Sequence, residues 1–269
     1  MVNILYPAGT FRRTVAETFY FLLFDWKGFK TRKDSFLAIL RHRGIRRLAL
    51  DAIKGRGIFQ GPPFPESALA HKYCLGKGLE IGGSAHNPFG LNTLDVDFTD
   101  SMDTKFKKGE IRCCGQALKV DIVAPGDDIP LPDQSQDFIV SSHVIEHFTN
   151  PIKALIEWDR LVKPGGIIFI IVPHKERTFD REQKCTSLQH LITDFQNNAT
   201  QPHADPNGHN HYWITQTFKE LVKYLIDQFH MSWQIAEIQD VDDKVGNGFT
   251  VVIRKNSGHQ PVKAAQAVQ

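Results

Sequence analysis

The chain has 269 residues, of which 41% are hydrophobic and 23% are charged, and its formal net charge is +2. This is the composition of a soluble globular protein that is long enough for one large domain with an appendage. No apolar run approaches the roughly 20 residues that cross a bilayer, and the N-terminus lacks the layout of a signal peptide, so no membrane span is predicted. The four cysteines form no paired framework, which predicts a reducing, cytoplasmic location.

Residues 1–60 are basic, while the remainder of the chain is acidic. They hold twelve Lys and Arg residues against four Asp and Glu residues, a surplus of eight, which leaves −6 for the rest. An aromatic run, Phe19–Phe24, and a second apolar set that begins at Phe36 predict two helices that form an extension or lid. Contact with an anionic membrane surface or with nucleic acid is the alternative for such a region. Residues 55–65 are rich in glycine and proline and predict a linker.

A short apolar run, Leu79–Ile81, breaks into a glycine turn, and a second run ends at Asp97. In an open α/β sheet, ligands lie beyond the carboxyl ends of the strands, and an acid that ends the second strand can hold ribose hydroxyls. The sequence therefore predicts a nucleoside-binding corner. A dinucleotide is not expected, because the turn lacks the G-x-G-x-x-G spacing and Pro88 interrupts the helix that this motif would open.

The middle of the chain alternates between strand and helix patterns. Asp121 ends a short strand, and a second strand runs through residues 137–140. A helix follows, for which Thr149 is the predicted N-cap and Pro151 an early-turn residue. The glycines of K-P-G-G end that helix, and the unbroken apolar run Ile167–Val172 is typical of a strand that is buried on both faces. This order predicts a parallel sheet.

The remaining chain departs from a simple alternation at residues 174–213, which predict an insertion that shapes a pocket at the mouth of the sheet. A helix is expected from Thr186 within it. Residues 218–229 keep helical spacing, and residues 233–238 and 249–254 alternate as a closing hairpin. Residues 256–269 predict a disordered tail.

The succession of D-I-V, D-F-I-V-S-S-H-V-I-E-H, K-P-G-G and V-P-H, together with the glycine turn, resembles the class I S-adenosylmethionine-dependent methyltransferases over residues 74–175. The resemblance implies an α/β domain at residues 66–255, a Rossmann-like, doubly wound, seven-stranded sheet with an antiparallel last strand. It also implies S-adenosylmethionine as the cofactor. Glu80, Gly82 and Gly83 would line its methionine part, with Ser84 where a further glycine is usual. Asp97 would hold the ribose, Asp121 and Ile122 the adenine, and Ser142 and His143 would lie beside the sulfonium.

Histidines near the predicted pocket leave two mechanisms open. On a helix, His143, Glu146 and His147 would share one face, and with His209 they could hold a divalent metal. The V-I-E-H motif with histidines before a tryptophan also resembles the small-RNA 2′-O-methyltransferases, which hold a metal with such residues, although His143 stands where that family has glutamate.

The alternative is a metal-free site. A general base, for which the candidates are His147, His174 and His211, would then take the acceptor proton directly. The sequence favours this alternative, because a Glu-His pair at this position is common in methyltransferases without a metal.

The predicted function is transfer of a methyl group to an oxygen of a small metabolite, such as a sugar or another natural product. Nitrogen and carbon acceptors are less favoured. Two further hypotheses remain: an RNA methyltransferase that uses the basic N-terminal region to hold phosphates, and a noncatalytic S-adenosylmethionine-binding scaffold. A small-molecule acceptor is the expected partner, and the oligomeric state is left open.

Overall fold

The structure, a computed structural model, describes residues 64–200 and 208–257. The predicted N-terminal extension and all but two residues of the predicted tail lie outside this part. The strands are β1 (Gly78–Ile81), β2 (Thr93–Asp97), β3 (Ile122–Val123), β4 (Gln136–Ser142), β5 (Val162–Pro173), β6 (Trp233–Gln239) and β7 (Gly248–Lys255). The α-helices are α1 (Ala68–Tyr73), α2 (Lys105–Cys114), α3 (Pro151–Leu161), α4 (Leu188–Gln196) and α5 (Thr215–Gln228).

The strands of the described residues form one seven-stranded sheet in the order β3-β2-β1-β4-β5-β7-β6. The first five strands are parallel, while β7 runs antiparallel to both β5 and β6. The central strands are buried on both faces, as their continuous apolar runs predict. This confirms the predicted fold, a doubly wound sheet that closes with an antiparallel hairpin.

Two apolar layers cover the sheet. On one face, α3, α4 and α5 pack against alternate strand residues such as Ile139 and Ile170. On the other face, Phe138, Phe169 and Phe89 form a second core with residues of α1. Both faces of the central strands are covered, which leaves the ends of those strands for a polar ligand.

The sheet changes direction between β1 and β4. The chain moves outward from β1 through β2 to β3 and then returns to the opposite side of β1 as β4. Beyond the carboxyl ends of these two neighbours lies the crevice in which open α/β sheets bind their ligands. The glycine turn follows β1, and Ser142 ends β4, so both predicted motifs lie at this crevice.

Helix α3 begins one residue away from its predicted cap. The side chain of Asn150, and not that of Thr149, accepts a hydrogen bond from the backbone N–H of Lys153 at 3.0 Å. Both residue types suit this position, so the sequence pattern alone could not choose between them. The buried Trp158 anchors the helix, since its indole N–H donates to the carbonyl of Gly126 at 2.8 Å.

The insertion at residues 174–213 is tied together at its two ends. A single bridge joins His174 to Trp213, and the N–H of Lys175 donates to the carbonyl of Trp213 at 2.8 Å. Between them lies α4, which Ser187 caps close to the predicted start of the helix. No helix within residues 64–200 and 208–257 is long and apolar enough to cross a membrane.

Candidate functional site

The turn after β1 requires its two glycines. Gly82 has a φ of +65°, and a Cβ there would come within 2.8 Å of the Val144 side chain. The N–H of Gly83 donates to Oδ1 of Asp95 at 2.8 Å, and a Cβ on Gly83 would lie 2.4 Å from that oxygen. The turn is therefore pressed against β2 on one side and against the loop after β4 on the other.

Two buried acids lie behind this turn. Glu80 lies in the buried strand β1. Burial raises its pKa to about 7, and the neighbouring Asp95 adds to this rise. Burial raises the pKa of Asp95 to about 6, although the N–H of Gly83 opposes the shift. The buried side chain of Lys244 lowers the pKa of Glu80, but this offsets only part of the rise. A corner with this excess of buried carboxylates favours a ligand that carries a cationic amine.

Of the two acids predicted to end strands, Asp97 ends β2, whereas Asp121 directly precedes β3, and the two have different environments. Asp97, at the end of β2, is half-buried, and burial raises its pKa. Lys107 approaches it, with 4.0 Å between Nζ and Oδ2. Asp121 instead pairs with the backbone of β2: its Oδ2 accepts from the N–H of Asp95 at 3.0 Å, and its own N–H donates to the Asp95 carbonyl. Asp121 therefore aligns β3 with β2, and Ile122 continues that pairing opposite Val96.

The segment after β4 does not form the predicted helical face. Ser142 accepts a hydrogen bond from the side-chain amide of Asn87 at 3.2 Å. His143 follows with a φ of +56°, outside any helix, and only a single 3-10 turn forms, at Ile145–His147. His143 interacts electrostatically with Asp242. Although burial opposes the change, the charge on His143 and nearby backbone N–H groups lower the pKa of Asp242.

Three of the four predicted metal ligands come together. Glu146, His147 and His209 each offer a ligand atom, and these atoms lie within 4.8 Å of one another; we call this group the ligand triad. Nε2 of His147 is 3.7 Å from Oε1 of Glu146, and Nε2 of His209 is 4.0 Å from the same oxygen. His143 is not part of the group.

The carboxylate of the ligand triad is buried without a hydrogen bond. Glu146 is 0% exposed, and neither of its oxygens has a hydrogen-bond partner among the described residues. A buried carboxylate is strongly destabilising unless a cation or hydrogen-bond donors compensate for its lost hydration. The position therefore fits a bound cation.

Both imidazoles of the ligand triad are oriented by their other nitrogen. Nδ1 of His147 lies 2.7 Å from the Gly208 carbonyl, and Nδ1 of His209 lies 3.0 Å from the Asp180 carboxylate. Carbonyls and carboxylates only accept, so both Nδ1 atoms carry the proton, and Nε2 presents its lone pair towards Glu146. This is the outer support that metal-bound histidines have in proteins. Two neutral imidazoles and one carboxylate suit zinc, iron or manganese.

The other two predicted bases lie outside the ligand triad. His174 is buried with its ring edge against Phe249, and burial lowers its pKa. His211 is 1% exposed and stacks on Trp213, with 5.4 Å between the ring centroids. Of the three predicted bases, only His147 therefore shares the Glu146 position.

Several residues of the site carry no spacing signal in the sequence. Asp180 is buried, and its carboxylate accepts from the hydroxyl of Thr178 at 3.0 Å, which fixes it beside His209. Two phenyl rings flank the histidines: Phe106 lies 5.4 Å from His147, and Phe179 lies 4.9 Å from His209. These rings are 53% and 37% exposed. They come from different parts of the chain, so only the fold brings them together.

The sequence of this domain matches known proteins over the same region. Residues 75–170 match the profile of the family described as "Methyltransferase domain". An uncharacterized protein of Methanocaldococcus jannaschii is 36% identical over 106 residues, which are 38% of this chain and 47% of that protein. A ubiquinone/menaquinone biosynthesis C-methyltransferase of Geotalea daltonii is 31% identical over 94 residues, 35% of this chain and 39% of the relative. The chain thus spans under half the length of these relatives.

Solved structures with low sequence identity cover more of the chain. A Thermotoga maritima structure, described as a S-adenosylmethionine-dependent methyltransferase and possible histamine N-methyltransferase, is 16% identical, covers 91% of this chain and 98% of its own, and has a TM-score of 0.43. A Methanosarcina mazei methyltransferase structure is 17% identical over 70% of this chain and 97% of its own, with a TM-score of 0.40.

Strand order, the glycine turn and the family match at residues 75–170 agree with one another. Residues 75–170 are therefore similar to S-adenosylmethionine-dependent methyltransferase domains, and S-adenosylmethionine is the cofactor that this similarity implies.

Proposed function

We propose that this chain transfers the methyl group of S-adenosylmethionine to an oxygen of a small metabolite, such as a sugar or another hydroxylated natural product, at a site organised by the ligand triad. The buried and unpaired carboxylate of Glu146 is the observation that carries the proposal. S-adenosylmethionine supplies the electrophilic methyl group, and a divalent ion, when bound, supplies a Lewis acid that lowers the pKa of a hydroxyl. A hydroxyl acceptor profits from such an ion more than an amine does.

The glycine turn and the acids around it form the proposed cofactor site. The turn needs both glycines, because a Cβ on Gly82 would meet Val144 and one on Gly83 would meet Asp95, each at less than 3.0 Å. Without side chains, the backbone of the turn can approach a ligand closely. Buried carboxylates behind the turn suit the α-amine of the methionine part. The proposed set is Glu80, Gly82, Gly83, Ser84, Asp97, Asp121, Ile122, Ser142 and His143. Within it, Asp97 is the stronger candidate for the ribose, since the carboxylate of Asp121 already accepts a backbone N–H.

The proposed ligands of the ion are Glu146, His147 and His209. Asp180 and the carbonyl of Gly208 hold the two imidazoles in the tautomer that a metal needs. Glu146 and His147 follow β4 within five residues, so the triad lies at the same end of the sheet as the cofactor turn. The exposed faces of Phe106 and Phe179 offer apolar contacts to the ring of an acceptor, and such contacts orient its hydroxyl.

An acceptor panel with a matched pair of variants tests the proposal. Purified full-length protein is assayed for methyl transfer from S-adenosylmethionine to sugars, phenols, amines and RNA, before and after treatment with a chelator. We expect transfer to hydroxylated small molecules, lost with the chelator and restored by a divalent ion. Glu146→Gln should lose both ion and activity, whereas Glu182→Gln, an exposed change in the same insertion, should keep both.

Each competing hypothesis has its own result in this assay. Activity that survives complete removal of the ion would favour His147 as a general base and overturn the role of the ligand triad. Transfer to RNA alone would support the RNA hypothesis. Cofactor binding without transfer to any acceptor class would support the scaffold.

A further inference from the structure

A second group of metal-ligating side chains lies in the insertion, outside the ligand triad. His190, Asp194 and His211 each present a ligand atom, and these atoms lie within 4.8 Å of one another; we call this group the α4 triad. We propose that the α4 triad is a second metal site, that it holds a zinc ion, and that this ion fastens α4 to the segment that carries His209.

Helical spacing brings two of the ligands together. His190 and Asp194 are four residues apart on α4 and therefore share one face of the helix. Nε2 of His190 lies 3.1 Å from Oδ2 of Asp194. That distance is close to the spacing between two donor atoms of a tetrahedral zinc site, whose ligands each lie about 2.0–2.2 Å from the ion.

The third ligand arrives from a distant segment in a fixed orientation. The ring of His211 stacks on Trp213 and meets the ring of His190 edge-on, with 5.8 Å between centroids. Nε2 of His211 lies 3.3 Å from the carbonyl of Thr149. A carbonyl only accepts, so Nε2 carries the proton and the lone pair is at Nδ1. The ring thus has the backbone-carbonyl support typical of a histidine ligand.

Burial and donor type point to zinc. Asp194 and His211 are buried, whereas the side chain of His190 is 43% exposed, so the site is closed on one side and reachable from solvent on the other. Water would complete the coordination there. Two imidazole donors disfavour calcium and magnesium, which take oxygen ligands, and they suit zinc.

Position gives this ion a structural task. His211 is two residues from His209 of the ligand triad, and the N–H groups of Asn210 and His211 both lie close to the carbonyl of Glu146, at 2.8 and 3.2 Å. An ion between α4 and His211 would hold this segment against the turn that carries Glu146. The α4 triad would therefore position His209 without touching the reacting groups.

Metal stoichiometry of single variants separates the two sites. Wild-type full chain and the variants Glu146→Gln, Asp194→Asn and His190→Gln are loaded with zinc, dialysed, and measured by elemental analysis. We expect two equivalents in the wild type and one in each variant. Asp227→Asn, an exposed change on α5, is the matched control and should keep two. Added zinc should raise the unfolding temperature of Glu146→Gln, in which only the α4 triad is intact, but not that of the double variant Glu146→Gln with His190→Gln.

The measurement distinguishes this inference from the proposed function. Glu146→Gln protein without bound zinc would overturn the α4 site, and so would Asp194→Asn and His190→Gln proteins that keep two equivalents. Both outcomes would reduce the pair on α4 to an ordinary ion pair between neighbours on a helix. One equivalent in the wild type, kept in Glu146→Gln and lost in His190→Gln, would support the α4 site while removing the ion from the ligand triad. His190→Gln alters an exposed side chain, so it remains informative if Asp194→Asn fails to fold.

Discussion

Substituting Gly83 by alanine tests the cofactor turn with a single added methyl group. The new Cβ would lie 2.4 Å from Oδ1 of Asp95, which is well inside the contact distance of the two atoms. Asp95 is buried and accepts the N–H of Gly83, so its carboxylate cannot move away without losing that bond. Either the turn shifts towards the cofactor or the acid rotates out of its place.

The size of the effect follows from these two contacts. A hydrogen bond to a charged group contributes about 1.5–3 kcal/mol. Overpacking a buried position by one methyl group costs about 1–3 kcal/mol. Because a shift of the turn relieves part of the clash at the expense of the ligand, we expect about 2 kcal/mol to appear in cofactor binding, which corresponds to an about 30-fold weaker Kd.

Calorimetric titration with S-adenosylhomocysteine measures this change, and Gly109→Ala provides the control. Gly109 lies within α2, and a Cβ there would meet nothing within 4 Å. Alanine is the better helix former by about 1 kcal/mol, so this variant should unfold at a higher temperature and bind normally. Equal affinity in Gly83→Ala, Gly109→Ala and the wild type would refute the reasoning, because the turn would then not contact the ligand.

Three further predictions concern individual acids. Asp97→Ala should weaken S-adenosylmethionine binding by about 1.5–3 kcal/mol in a calorimetric titration through loss of ribose hydrogen bonds, whereas Asp121→Ala should mainly lower the unfolding temperature. Glu80 has a folded pKa of about 7 against an ordinary value of 4.5, so the folded state binds its proton more tightly and stability without cofactor should fall as the pH rises from about 4.5 to 7. Glu80→Gln should reduce this fall in a denaturant series and leave the part below about pH 6 that comes from Asp95, whose pKa burial also raises. Asp180→Asn should weaken ion binding at the ligand triad about 10–100-fold in a metal titration, and unchanged affinity would contradict the orienting role.

Local patterns were sufficient for most of the fold. A few consecutive residues are enough to specify the apolar run of β5, the amphipathic spacing of α5 and the glycine turn after β1. The sequence therefore predicted all of these. Helix α2 was not predicted, because its K-F-K-K-G-E-I-R-C-C sequence has few apolar residues and an internal glycine. Its charged residues instead contact the predicted cofactor corner, since Glu110 accepts the N–H of Ala85 and Lys107 lies 4.0 Å from Asp97.

The sequence could predict only those parts of the candidate site whose ligand-type residues are close together in the chain. Glu146 and His147 are adjacent, so the sequence could place them together. The sequence could not place Asp180 behind His209, because a contact between distant segments depends on how the whole insertion packs. The residue spacing also predicted a helix through His143, but the backbone there has a φ of +56°. No residue pattern indicated this conformation.

The choice between a bound metal and a free histidine base depends on what compensates the carboxyl group of Glu146 for its lost hydration. A metal-free site leaves three possibilities for this fully buried side chain. An ionised carboxylate without a partner would cost several kcal/mol. A protonated carboxyl group would add a buried O–H donor to the same unpaired position, since neither oxygen has a partner among the described residues. A salt bridge to a protonated His147 would place Nε2 against Oε1, but the two atoms are 3.7 Å apart, beyond a strong charge-assisted bond.

A divalent ion held by the ligand triad would avoid all three difficulties. It would compensate the carboxylate and accept the lone pairs that the hydrogen bonds to Gly208 and Asp180 direct towards Glu146. The sequence favoured the metal-free mechanism because a Glu-His pair alone is common without metal. The structure brings the predicted ligand His209 next to Glu146 and His147, with the buried Asp180 behind it, and a histidine that acts as a base needs neither. On this reasoning we propose that the imidazoles of the ligand triad serve as ligands, and that the acceptor carries a hydroxyl that the ion would acidify.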